Sequence, residues 1–265
     1  MGRQDAANAL DKELMARLLP PAAVRALGDW LAGSGVRYAA GAGGHAVEYV
    51  PAHWSGVDPW PAGLAERSQT ATARVSRAEA AASTRSAVER SEWSEALVAP
   101  YVWGQGRTGY GPHRLAEILQ DPGVGVVLSD AGTALREKGA VEAYRLLRGT
   151  VKGLGPAFFT KFLYFLDLAG DAPAAPRALI LDQRVARVVR SHATRVGLET
   201  GPSSAPGVAA WIWSDSGWTA HRYSVYLEWV HACSDQLAAS GIGWPRSCPD
   251  LLELALFEGV WDPGT

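Results

Sequence analysis

Two glycines one residue apart, followed at once by proline, set the strongest constraint on how this chain can fold. They stand in Lys152-Gly153-Leu154-Gly155-Pro156. Glycine reaches backbone conformations closed to other residues, and proline suits the first turn of a helix, so the pentapeptide reads as a tight turn that opens a helix. The flanks agree. Val141, Ala143, Tyr144 and Leu147 have the apolar spacing of a short helix before the turn, and Ala157 to Leu168 is apolar almost all the way round after it. Such a turn can bring backbone N–H groups close to an anion.

Two further residues stand out downstream. Lys161 is set inside Phe158-Phe159-Thr160-Lys161-Phe162-Leu163-Tyr164-Phe165 and cannot easily point only at water. Burial disfavours the charged form of an ammonium, which makes a neutral amine available to attack a carbon electrophile. The bland alternative is a lysine whose stem covers apolar surface while its head reaches solvent. Lysine is rare in this chain, at Lys12, Lys138, Lys152 and Lys161 only, and two of these flank the one turn. Next, the apolar run Ala178-Leu179-Ile180-Leu181 ends in Asp182, well placed to cap a helix carrying Arg184, Arg187 and Arg190 at spacing three. Taken singly, that is a plain N-cap with a solvated basic face.

Helix, Gly-x-Gly turn and helix resemble the helix-hairpin-helix element of DNA-binding proteins, whose hairpin amides hold a DNA phosphate with help from a bound monovalent cation. With the intrahelical lysine and the Asp-led helix, the stretch from Leu147 to Arg190 resembles the helix-hairpin-helix DNA glycosylase superfamily, most closely its 8-oxoguanine glycosylase branch. The resemblance implies a mainly α fold, a two-lobed helical bundle with the helix-hairpin-helix glycosylase fold and a small N-terminal α/β addition. It implies that Asp182 is the catalytic aspartate, supporting positive charge at the sugar as the base leaves or accepting protons from the amine. Lys152, Gly153 and Gly155 would grip the DNA backbone, with a monovalent cation at residues 152–156 as the one cofactor expected, and Arg184 and Arg187 would add phosphate contacts. There is a departure. In lyase-type members the nucleophilic lysine sits two residues after the second hairpin glycine, where this chain has Ala157. Lys161 comes one helical turn later on a similar face and is the candidate nucleophile. Otherwise the enzyme is monofunctional, Asp182 activates water, and Lys161 has another role. The linker from Ala169 to Arg177 is also longer than usual for the family.

A second informative stretch runs from Tyr101 to Arg114, with four glycines among aromatics, an amide and arginines. It reads as a loop able to approach a ligand closely, with Pro112 starting a helix through Leu119. On the functional reading Trp103 stacks on an extruded base, Gln105 hydrogen-bonds its edge, and Arg107 and Arg114 sit near phosphates. A structural loop is the alternative. Phe158 and Phe162 join the candidate base pocket. Tyr226 and Trp229 join it by resemblance alone, because a late helix holds the flipped base in 8-oxoguanine glycosylases; otherwise such aromatics belong to a core.

Elsewhere, residues 11–33 read as two short helices broken at Pro20-Pro21. Val36–Ala40 and His45–Val50 flank the turn Gly41-Ala42-Gly43-Gly44 and could pair as a hairpin. Pro51–Gly63 reads as an irregular loop, Leu64–Leu97 as one long or two short amphipathic helices, and Thr200–Ala209 as a Gly/Pro/Ser connector. Helices are expected at Asp130–Glu137, Ala220–Ala239 and Pro249–Phe257. These groupings suggest three segments: an N-terminal region over 1–95, a glycosylase core over 96–200, and C-terminal helices over 201–265.

Composition narrows the function. The only cysteines, Cys233 and Cys248, form no C-x-x-C, which favours a reducing compartment over a disulfide scaffold and rules out a four-cysteine iron–sulfur cluster. No His/Cys spacing suits a metal, so the zinc deaminases, which also act on flipped bases, are excluded. A net charge of −2 counts against indiscriminate DNA binding but leaves room for local basic patches. No signal peptide or membrane-length apolar run is present, so the expectation is a cytoplasmic monomer with no membrane partner. Its partner would be double-stranded DNA carrying a modified base, 8-oxoguanine by default, cleaved at the N-glycosidic bond with or without β-lyase activity. The rivals are a glycosylase-fold defence enzyme acting on hypermodified phage bases, a non-catalytic helix-hairpin-helix DNA-binding protein, and a helical small-ligand protein.

Overall fold

The structure, a computed structural model, describes residues 2–67, 69–107, 109–171, 175–201 and 205–263. It is mainly helical, with one two-stranded sheet among the described residues. In chain order the elements are α1 (Arg3–Ala16), α2 (Pro21–Ala32), β1 (Ala46–Tyr49), α3 (Ala62–Ala65), β2 (Ala73–Ser76), α4 (Arg77–Glu89) and α5 (Trp93–Gln105). There follow α6 (Gly111–Leu119), α7 (Val124–Lys138), α8 (Ala140–Leu147), α9 (Pro156–Ala169), α10 (Gln183–Thr200), α11 (Ala205–Ile212), α12 (Ala220–Ala239) and α13 (Pro249–Phe257). The chain divides into two compact units, one of Met1–Ala42 with Leu179–Thr265 and the other of Gly43–Ala178. Where the sequence suggested three consecutive segments, the first of these units draws on both ends of the chain.

In the unit Gly43–Ala178, α9 is the centre. Its sequence is apolar almost all the way round, broken only by Thr160, Lys161 and Asp167, and α4, α5, α7 and α8 all pack on it. Phe159, Phe162, Leu163 and Phe165 are fully buried, each contributing about 1.5–3 kcal/mol of burial free energy. Helix α5 carries Pro100 in its interior, and proline has no N–H for the carbonyl four residues back. That carbonyl, of Ala96, accepts instead from the buried hydroxyl of Thr84 on α4 at 3.3 Å. Ser76 opens α4 with a capping box, its hydroxyl accepting from the Glu79 amide while the Glu79 carboxylate accepts from the Ser76 amide. At the far end of α9, the buried Asp167 carboxylate accepts from the Ala178 amide at 3.0 Å and lies 3.8 Å from Arg177 Nε.

In the other unit, α12 runs through the core with Tyr223, Tyr226, Trp229, Val230, Cys233 and Leu237 fully buried. Thr219 caps it, accepting from the Arg222 amide at 3.1 Å. Arg222 forms a buried pair with Asp11 of α1, one of its contacts at 3.1 Å. Gln236 accepts from Leu19 N–H and donates to Leu19 C=O, both at 2.9 Å, so one side chain fixes the link between α1 and α2. Burial pushes the Cys233 thiol pKa up.

Several expectations need correction. Val36–Tyr38 is a short 3-10 turn, and β1 pairs antiparallel with β2 instead, with Ala46 opposite Ser76 and Tyr49 opposite Ala73. Residues 73–76, read as helix, therefore form a strand. A pair of four-residue strands is too small to stand alone, and α5 packs against both. The connector read over Thr200–Ala209 is mostly helical at its described ends, since α10 runs to Thr200 and α11 begins at Ala205. Residues 202–204 of that connector, 172–174 of the Ala169–Arg177 linker and Thr108 of the glycine-rich stretch lie outside the described residues.

Candidate functional site

The turn between α8 and α9 is built as its glycines suggest. Gly149 and Gly153 have φ of +79° and +85°, a region that strains residues with a Cβ. Leu154 is buried beneath the turn, while Lys152, Gly153 and Gly155 are exposed. Gly155 caps α9 without a side chain, and the N–H groups of Gly153 and Gly155 donate to no acceptor among the described residues. Helix α6 lies alongside: Ile118 Cγ1 and Arg114 Cγ come within 3.5 and 3.9 Å of the position a Cβ on Gly153 would take. Arg114 is thus brought to the hairpin. Burial raises the pKa of the nearby Tyr101 hydroxyl to about 12, while the positive charge of Arg114 pulls it the other way. Arg107 goes elsewhere, to an exposed pair with Glu48 at 2.9 Å.

The candidate nucleophile sits next to this turn on α9. Lys161 is 7% exposed, and its Nζ donates to its own helix, at the Ala157 carbonyl 2.6 Å away. The same Nζ lies 5.4 Å from the ring centre of Phe158, which stacks on Tyr101 of α5 with centroids 4.1 Å apart and planes at 14°. The stem of Lys161 crosses Gly104, where there is no room for a side chain. Trp103 and Gln105 were expected on a loop, but α5 continues through both. Trp103 is buried, edge-on to His45 and Phe165, with Nε1 3.4 Å from the His45 carbonyl and the Arg77 guanidinium 5.0 Å from its ring. Gln105 folds back under the turn that follows, so close to Gly109 and Gly111 that a Cβ at either would collide with its amide. Phe162 is fully buried in the core.

Asp182 belongs to the other unit. It is the N-cap of α10, and its Oδ1 accepts from the amides of Arg184 and Val185 at 3.0 and 3.1 Å. Both bonds go to one oxygen, and Oδ2 has no partner among the described residues. The N-cap reading and the catalytic reading are therefore compatible, since the cap uses half of the carboxylate. The basic face of α10 is engaged by its own unit. Arg187 reaches Asp215 through Nε at 3.2 Å and through Nη2 at 2.6 Å, Arg190 reaches it at 3.2 Å, and Gln183 donates to it at 2.9 Å. The Arg187 hydrogen bond leads in holding the Asp215 carboxyl down at about 2. Arg184 lies over the Phe257 ring at 4.9 Å. Tyr226 and Trp229 are fully buried on α12, and the Tyr226 hydroxyl donates to the Ile180 carbonyl at 2.6 Å.

Sequence reading therefore missed Tyr101, Gly104, Tyr223 and Asp215. Only Gly104 carried a signal, as a glycine among residues that otherwise suit a helix. The other three are defined by partners distant in sequence.

One comparison bears on this arrangement. The family model described as "Putative 8-oxoguanine DNA glycosylase OGG-like protein" matches residues 40–257. No curated protein and no solved structure matches the chain.

Proposed function

The chain belongs to the family of 8-oxoguanine DNA glycosylase OGG-like proteins, and from that premise we propose that it excises a modified base from double-stranded DNA by cleaving the N-glycosidic bond. The observation that carries this reading is the extent of the match, which takes in the hairpin, Lys161 and Asp182 together. The default lesion is 8-oxoguanine.

On this reading the hairpin binds a backbone phosphate. The Gly153 and Gly155 amides supply donors, while Arg114 and Lys152 supply positive charge. A monovalent cation fits the same turn, because the Lys152 and Gly153 carbonyls accept from no donor among the described residues. It would be held by those oxygens and add charge facing the phosphate.

Departure of the base leaves positive charge on the sugar, and the free Oδ2 of Asp182 is suited to stabilise it or to align water. This hydrolytic route leaves the Asp182 cap in place. The lyase route would have Lys161 Nζ attack C1′ as the base departs with the bonding electron pair. That requires the amine in its neutral form, with the lone pair aimed at the sugar while an N–H stays bonded to the Ala157 carbonyl.

The test is a panel of duplexes, each with one modified base, assayed for base release with and without borohydride. Release by the wild-type protein and its loss in Asp182→Asn is the expected result. A covalent adduct trapped by borohydride and lost in Lys161→Gln would establish the lyase route. Duplex binding with no release from any member of the panel would favour a non-catalytic binding protein.

A further inference from the structure

Asp182 ends a run with no regular secondary structure, in which Ala178, Leu179, Ile180 and Leu181 are each at most 1% exposed. A buried extended segment without a sheet neighbour must find other partners for its backbone groups. For Leu179 and Ile180, α12 supplies them. The Tyr223 hydroxyl donates to the Leu179 carbonyl at 2.9 Å and accepts from the Leu179 amide at 3.3 Å. The Tyr226 hydroxyl donates to the Ile180 carbonyl at 2.6 Å. The two tyrosines are three residues apart and so share a face of the helix, and both are fully buried. Their ring centroids are 6.2 Å apart. Two successive residues, three and two positions before the acid, are thus tied to a rigid helix. On its other side the acid is tied to α10, through the Arg184 and Val185 amides.

We propose that Tyr223 and Tyr226 are positioning residues that hold Asp182 in place, fixing where its free oxygen points. The kinetic part of this inference rests on the glycosylase reading; the structural part does not. Neither hydroxyl touches the carboxylate. Each acts through the backbone, and a displacement of about an ångström at a reacting group can cost on the order of a hundredfold in rate.

The experiment uses the full chain with Tyr223→Phe and Tyr226→Phe, each of which deletes one oxygen and keeps the ring. Amide hydrogen exchange reports on Asp182 directly, because its carboxylate caps Arg184 and Val185. Exchange at those two amides should rise about tenfold in either variant, while amides inside α13 keep their protection. In single-turnover assays on the modified duplex that the wild type cleaves, base release should slow by about tenfold to a hundredfold. Affinity for the same duplex should stay within about twofold, a split that general destabilisation does not produce.

Folded variants with unchanged exchange at Arg184 and Val185 would overturn the proposal. So would looser amides combined with wild-type release rates, provided that Asp182→Asn is inactive. If Asp182→Asn releases base at the wild-type rate, or no duplex is cleaved, the glycosylase reading fails instead. The exchange measurement then still decides whether the tyrosines hold the acid.

Discussion

Lys161 lies across Gly104 so closely that a Cβ on the glycine would stand 2.4 Å from Cδ and 2.9 Å from Cε of the lysine. Phe158 closes the same space from the next turn of α9, 3.5 Å from that point. Gly104→Ala should therefore displace the lysine stem, while the alanine gains about 1 kcal/mol of helix propensity inside α5. Thermal stability is expected to change little. If Lys161 acts on DNA from its present position, borohydride trapping or base release should fall sharply in Gly104→Ala. Activity equal to wild type would mean that the amine has no part in the chemistry.

Asp182 allows its two roles to be separated by a pair of substitutions. Asparagine caps a helix about as well as aspartate, whereas alanine costs about 1 kcal/mol at that position. Asp182→Asn should keep wild-type stability and lose base release; Asp182→Ala should lose both. A stable, active Asp182→Asn would leave Asp182 as a cap only.

Asp215 occupies Arg187 and Arg190 much as a phosphate would. Asp215→Ala should free both guanidinium groups, raise duplex affinity at low salt, and steepen the dependence of log K on log salt by about 0.9 for each phosphate gained. An unchanged salt slope would show that α10 does not face the DNA backbone.

His192 should dominate acid sensitivity near neutrality. Its ring is 1% exposed, with Nε2 3.1 Å from the Arg17 carbonyl and Nδ1 3.5 Å from the Arg195 guanidinium, contacts that suit a neutral imidazole. Burial holds its pKa down to about 4, against an ordinary 6.5. The unfolded chain therefore takes up this proton at a higher pH than the folded one. Stability is complete above pH 6.5 and falls as the pH drops from 6.5 to 4, by on the order of 3 kcal/mol. Denaturant midpoints measured across this window should lose most of that slope in His192→Gln. Parallel curves for the two proteins would assign the effect elsewhere.

Local signals and distant partners divide what could be read from the chain. Ala220–Ala239 and Pro249–Phe257 form helices with the bounds expected, because the proline at 249 and the apolar periodicity of both are local. The turn at Gly153 and the cap at Asp182 were legible for the same reason. The pairing of Ala46–Tyr49 with Ala73–Ser76 was not, since neither strand has more than four residues and the partner lies far along the chain. Trp103 and Gln105 were misread because glycine normally breaks a helix. Here Gly104 stands inside one, and the lysine that crosses it leaves no room for a side chain. At Tyr226 the reading turned on whether an aromatic faced a ligand or the core, and a hydroxyl bonded to the Ile180 backbone answers that only in three dimensions.

The unit formed by Met1–Ala42 and Leu179–Thr265 has a consequence for biosynthesis. During translation Gly43–Ala178 leaves the ribosome complete, while α1 and α2 still lack α10, α12 and α13. The buried Asp11 must wait for Arg222, and the Leu19 backbone for Gln236, until α12 emerges. The nascent chain therefore carries α1 and α2 with an unfinished surface while the whole of Gly43–Ala178 is made.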